Sequence, residues 1–313
     1  MQQCARATSS DDPTQSVQYR VTLSAGHVLN VVQWLAPNSC TSVPHVVFLH
    51  GLGDAASVWR DVAVKLTPRA HVLAVDLRGH GDSEWIVGGE YRVGAMAADI
   101  DELLRKIAVP RLALVGHSMG AAVALRVASR NPQTVERLVL ADHGPESDPA
   151  IVEEVRHALR SAYRPYQHVE QYAAVLYDRH PLARRELLYW VATATSRRAA
   201  SGTVQLKYDP EVLSSRNRSI VREISSGVLD EAWQLLAALS CPVLVLRGAA
   251  SSVLSLPIAS KMTNSVLKHG AYRAIPLSGH SIQLDNPDAV TRAIERFIHP
   301  ADTRASVESE AGK

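Results

Sequence analysis

Cysteine is scarce in this chain of 313 residues: Cys4, Cys40 and Cys241 stand far apart. With no CxxC and no Cys/His pair at metal spacing, they offer neither a disulfide framework nor a zinc site. Long apolar runs are also missing, and none reaches the ~18–20 residues that a membrane span needs. Residues 1–16 are polar and lack the apolar run of a signal peptide, so a cytoplasmic setting without a membrane partner is expected. Charge of one sign is absent as well, with 33 Lys and Arg against 31 Asp and Glu. The densest basic spots are the pairs Arg184-Arg185 and Arg197-Arg198. Pairs on solvated helix faces are not the clustered patch that nucleic acid requires, so no nucleic-acid partner is expected. Internal repeats and low-complexity segments are lacking too. The polar ends, 1–16 and 301–313, carry too little apolar content to join a core and are expected to be disordered.

What is present is ordinary globular material, 46% hydrophobic and 20% charged, in a chain long enough for one sizeable core with an inserted subdomain, or for two small domains. Unbroken apolar runs at 46–49, 72–75, 112–115, 138–141 and 242–246 suit strands buried on both faces. Helical patterns at 93–107 and 121–130 lie between them. This alternation predicts an α/β fold with a doubly wound, mostly parallel sheet. Segments 17–23 and 28–34, joined by Ser24-Ala25-Gly26-His27, read as an antiparallel hairpin at its edge. From 146 to 238 no buried strand is evident, while Arg, Ala, Leu and Tyr recur at helical spacing, best at 182–194 and 230–239. A core of 17–145 and 239–300 with an inserted helical cap at 146–238 is the expected division.

Four segments carry chemistry. Gly116-His117-Ser118-Met119-Gly120 follows a buried strand and precedes a helix, the context in which G-x-S-x-G makes a sharp, strained turn with an exposed hydroxyl. The helix N-terminus behind Ser118 supplies positive potential for a developing oxyanion. His50-Gly51-Leu52-Gly53 follows the 46–49 strand and is suited to aim the Leu52 N–H at the same point as the Met119 N–H, giving two oxyanion donors. The run from Asp76 to Ser83 reads as a structural turn in which His80 is a structural histidine. Gly279-His280 lies between the short apolar segment 274–277 and a helix at 287–297. There His280 can take the Ser118 proton and return it to a leaving group.

In order and spacing these segments resemble the α/β-hydrolase superfamily, in particular its cap-bearing esterase and lactonase-like members, over about residues 17–300. The resemblance implies the order nucleophile, acid, histidine. The acid departs from the pattern: where relatives carry Asp after the strand at 242–246, this chain has Ser251 and Ser252. Two readings of Asp142 stay open, as the acting acid at the end of the preceding strand or as a cap for the bend at Gly144-Pro145. Asp285 is the weaker candidate, and His117 and His143 neighbour the site without an assigned role.

A serine at the elbow argues against the epoxide hydrolase and dehalogenase routes, which the resemblance associates with Asp. The expectation is a serine-dependent hydrolase of an ester, thioester or lactone of a moderately apolar small molecule, acting through an acyl-enzyme. A lyase or cyclase of the same fold, or a non-catalytic ligand-binding member, is the alternative. No metal or organic cofactor is implied, the expected partner is a small-molecule substrate, and the oligomeric state stays open. Tyr163, Tyr166, Tyr172, Tyr177, Tyr189 and Trp190 are candidates to line the substrate pocket, against the alternative that they are core.

Overall fold

Strands β3 (His45–Leu49), β4 (His71–Val75), β5 (Leu112–His117), β6 (Val135–Ala141) and β9 (Val243–Gly248) are the apolar runs of the sequence, now side by side. The computed structural model describes residues 16–34, 43–214 and 229–299. The expected disordered ends fall outside the described residues, apart from Ser16, as do Cys4 and Cys40. With β1 (Ser16–Thr22), β2 (Val28–Trp34) and β10 (Gly270–Ile275) the runs form an eight-stranded sheet in the order β1-β2-β4-β3-β5-β6-β9-β10. Every pairing from β4 to β10 is parallel, and the β1–β2 hairpin joins β4 antiparallel.

Val46, Val47, Phe48 and Leu49 are wholly buried, as expected of a strand covered on both faces, where each such side chain is worth ~1.5–3 kcal/mol. Helices α1 (Arg60–Leu66), α2 (Val93–Ile107) and α3 (Met119–Arg130) occupy the crossovers. In α2 the apolar positions Met96, Ile100, Leu103 and Leu104 repeat at helical spacing and are all buried, so one face docks on the sheet. Parallel strands joined this way bring their carboxyl ends, and the loops that leave them, to one side of the sheet, where such folds place their sites.

Between β6 and β9 lie α4 (Pro149–Ala162), α5 (Val169–Arg179), α6 (Arg185–Ala194), the short strands β7 (Ser196–Arg198) and β8 (Val204–Leu206), and α7 (Leu229–Ala238). Helix α4 starts at Asp148, whose carboxylate accepts the Ala150 N–H, with Pro149 following it; both are helix-start signals. The β7–β8 hairpin was not expected. Each strand has only three residues, and each includes an exposed position, so no buried run exists to be read. Helix α6 begins three residues later than its apolar pattern, because Leu182 lies in the preceding turn and is half exposed. The chain closes with α8 (Leu256–Lys261), the single turn α9 (Ile282–Asp285) and α10 (Pro287–Ile298). Among the described residues no helix is long and apolar enough to cross a membrane.

Candidate active site

Ser118 sits between β5 and α3 with φ 51° and ψ −119°, a conformation that a side-chain-bearing residue holds only when its surroundings force it. The surroundings are the two glycines. A Cβ on Gly116 would lie 2.3 Å from the Gly120 carbonyl oxygen, and one on Gly120 would lie 2.5 Å from the oxygens of Leu49 and His50. Strand, helix and neighbouring strand therefore approach more closely than any other residue permits. The Ser118 N–H donates to the Ala141 carbonyl at 3.0 Å, tying the elbow to the end of β6.

His280 reaches Ser118 from the loop after β10. Its Nε2 is 3.1 Å from Ser118 Oγ and its Nδ1 is 2.7 Å from Asp142 Oδ2. A carboxylate only accepts, so the ring proton belongs on Nδ1 and the Nε2 lone pair faces the serine hydroxyl. Asp142 follows β6 with φ 50°, a left-handed geometry that Asp tolerates better than most residues. It is fully buried. Its Oδ1 accepts the Gly248 N–H at 2.9 Å, and its Oδ2 also accepts the Ser251 hydroxyl at 2.5 Å. Of the two readings left open by the sequence, the local cap is not what these atoms do. Every side-chain bond described for Asp142 runs across the sheet to β9 and the loops that follow β9 and β10.

The other carboxylate candidate is placed elsewhere. Asp285 Oδ2 accepts the Gly279 N–H at 2.8 Å, so it braces the loop backbone and not the His280 ring. Burial raises its carboxyl above the ordinary range.

His117 proves to be part of that bracing. Its Nε2 lies 2.9 Å from the His280 carbonyl oxygen and its Nδ1 3.3 Å from the Gln283 side-chain nitrogen. Burial drives the His117 imidazole well below its usual range. The neutral ring therefore donates from Nε2 and accepts at Nδ1, which orients the Gln283 amide. No sequence signal marked Gln283, a buried polar residue in a one-turn helix.

Leu52 and Met119 both border the space above Ser118. Neither N–H donates in the turn, loop and cap backbone bonds of the described residues. His50 holds the Leu52 loop in place: it donates from Nδ1 to the Gly51 carbonyl at 2.8 Å and accepts the Leu77 N–H on Nε2 at 3.0 Å. Burial lowers its imidazole to about 4. Asp76 ties the same loops together by accepting from Ala56 N, Asp82 N and Asn30 Nδ2 at 2.6, 2.9 and 2.8 Å. His80, buried and bonded to the Arg78 carbonyl at 3.0 Å, is structural, as the sequence suggested.

The cavity over Ser118 is small, about 40 Å³, and its lining includes Val152, Val155 and Arg156 of α4 together with Val253 and His143. Leu159, one turn further along α4, packs on Gly53 so tightly that a Cβ there would come within 2.6 Å of it. None of the six candidate aromatics borders this cavity among the described residues. Tyr166 and Tyr172 are buried against each other with rings 5.5 Å apart, Tyr163 lies beside Tyr208 at 5.0 Å, and Arg60 covers Trp190. Tyr177 lies under Arg185, and Tyr189 is exposed. Tyr163, Tyr166 and Tyr172 thus pack on other tyrosines, while Val152, Val155 and Val253 are among the residues lining the space over the serine.

Fold and site together define a class. The sequence pattern of the alpha/beta hydrolase fold family matches residues 44–287, and the chain belongs to that family as a hydrolase. It is 29% identical over 268 residues to the esterase Rv0045c of Mycobacterium tuberculosis, covering 84% of each chain. The crystal structure of that esterase superposes with a TM-score of 0.71 at 27% identity, over 91% of each chain. The chain is also 26% identical over 257 residues to 2-(acetamidomethylene)succinate hydrolase of Mesorhizobium japonicum, covering 82% of this chain and 88% of that one.

Proposed function

We propose that the protein hydrolyses an ester, thioester or lactone of a moderately apolar small molecule through an acyl-enzyme on Ser118. The observation that carries this reading is the unbroken line Asp142–His280–Ser118, with bonds of 2.7 and 3.1 Å. His280 takes the hydroxyl proton as Ser118 attacks the carbonyl carbon, and Asp142 stabilises the imidazolium that forms. The tetrahedral oxyanion points to the Leu52 and Met119 amides at the start of α3, where dipole and donors both favour negative charge. The imidazolium then protonates the leaving oxygen or sulfur. Water, deprotonated by His280, attacks the acyl carbonyl and releases the acid and the free serine. No metal or organic cofactor enters any step.

The small cavity, lined largely by aliphatic side chains, favours a short acyl group or a small lactone ring over a long chain. In this reading residues 146–238 are the cap, with α4 setting substrate choice. The reading places the protein in the cytoplasm, in keeping with the free thiol of Cys241, since oxidising compartments tend to pair thiols.

Hydrolysis of short-chain p-nitrophenyl esters and of acyl thioesters, with acid quenching and intact-mass measurement, tests the proposal. The expected result is one acyl group per chain on Ser118 and a loss of at least ~10³-fold in turnover for Ser118→Ala. Turnover undiminished in that variant refutes it.

A further inference from the structure

The family pattern expects a carboxylate after β9, and this chain has Ser251 there. Ser251 is nevertheless buried and engaged, whereas Ser252 is exposed. Ser251 Oγ accepts the Val253 N–H at 3.1 Å and lies 2.5 Å from Asp142 Oδ2. An amide can only donate and a carboxylate can only accept, so the hydroxyl proton must point at Asp142. The oxygen it reaches is the one that accepts the His280 Nδ1–H.

The loop that presents this hydroxyl is itself held. Arg247 donates to the Ser251 carbonyl at 2.8 Å and to the Leu254 carbonyl at 2.6 Å, and the Ser251 N–H donates to Gly248 at 3.0 Å. Asp142 Oδ2 thus stands between two fixed donors, with its partner oxygen on Gly248.

We propose that Ser251 is a positioning residue: its hydroxyl holds Asp142 Oδ2 in line with His280 and shares its negative charge. This inference rests on reading Asp142, His280 and Ser118 as one catalytic unit.

Two consequences are specific to this role. Without the hydroxyl, a fully buried carboxylate has one donor fewer, and more of its charge falls on His280. The protonated ring is then favoured, and the acid limb of the activity profile moves to higher pH. A side chain that served packing alone would lower activity without moving that limb.

The test uses the full chain and two variants, Ser251→Ala and Ser251→Thr. Two readouts apply, the pH dependence of fluorophosphonate labelling and the low-field proton NMR resonance of the His280 Nδ1–H. Ser251→Ala is expected to label ~10-fold more slowly, to move the acid limb up by roughly half a pH unit and to displace the resonance. Ser251→Thr, which keeps the hydroxyl, is expected to restore all three.

Ser251→Ala with an unmoved limb and resonance overturns the positioning role. Wild-type protein that forms no Ser118 adduct refutes the hydrolase reading instead, and the resonance still reports on Ser251.

Discussion

Asp76 and Asp142 are the same residue in the same kind of place, each just beyond the carboxyl end of a parallel strand and each buried with three donors. They differ in what those donors are. Asp76 is held by two backbone amides and the Asn30 side chain, none of which can lose or gain a proton near neutral pH. Asp142 is held by one backbone amide, one hydroxyl and the ring of His280. A buried carboxylate whose donors are fixed is a structural clamp, and one bonded to a titratable ring is suited to stabilise that ring's positive charge, the role proposed for Asp142. The histidines repeat the contrast. His50 and His80 spend their Nδ1 protons on backbone carbonyls, while His280 keeps one nitrogen for a carboxylate and the other for a hydroxyl.

Removing each carboxylate separates the two roles. Asp142→Asn is expected to lower Ser118 labelling and ester turnover by roughly 10⁴-fold, because the amide favours the wrong ring tautomer, while the protein stays folded. Asp76→Ala is expected to do the reverse. It strands three donors and lowers the unfolding free energy by about 4 kcal/mol in a denaturant titration. Unchanged stability in that variant would break the comparison.

Acidification sharpens it further. Burial lowers His50 and His143 to about 4 in the folded chain, so the unfolded state takes up their protons first. Stability is therefore expected to fall as pH drops from about 6.5 towards 4, by up to about 3 kcal/mol per group. Thermal melts across that range are the check.

The smallest effect concerns Asp54, beside His117 at 4.0 Å, whose carboxyl burial pushes up to about 6 against the opposing pull of Arg179 and His280. A raised carboxyl is favourable to folding at low pH and loses that contribution as pH rises from about 4 to 6. Its side chain keeps 28% exposure, so solvent screens much of this cost. Asp54→Asn is expected to raise stability at pH 7 by only about 1 kcal/mol.

The legible parts of this molecule are those whose cause is local. Runs such as Val46-Val47-Phe48-Leu49 announce a strand covered on both faces, and Gly116 and Gly120 announce a close approach that no other residue survives. Ser118 and His280 were readable because each stands in a recognisable loop. Asp142 was only half readable: the residue was visible, but its partner lies 138 positions away. Ser251 was visible merely as a carboxylate that is not there. Edge strand β10 has exposed positions and no apolar run, and β7 and β8 are too short for a period to develop. The aromatics stayed ambiguous in the sequence because helical spacing marks a buried face without saying what lies across it.

The central claim is that Ser118 is an activated nucleophile in a working relay. Incubation with a fluorophosphonate probe, followed by intact mass and peptide mapping with Ser118→Ala as control, tests it without knowledge of the substrate. One adduct per chain, on Ser118 and absent from the variant, is the predicted result. Protein that stays folded and unlabelled with a probe small enough for the cavity would contradict it.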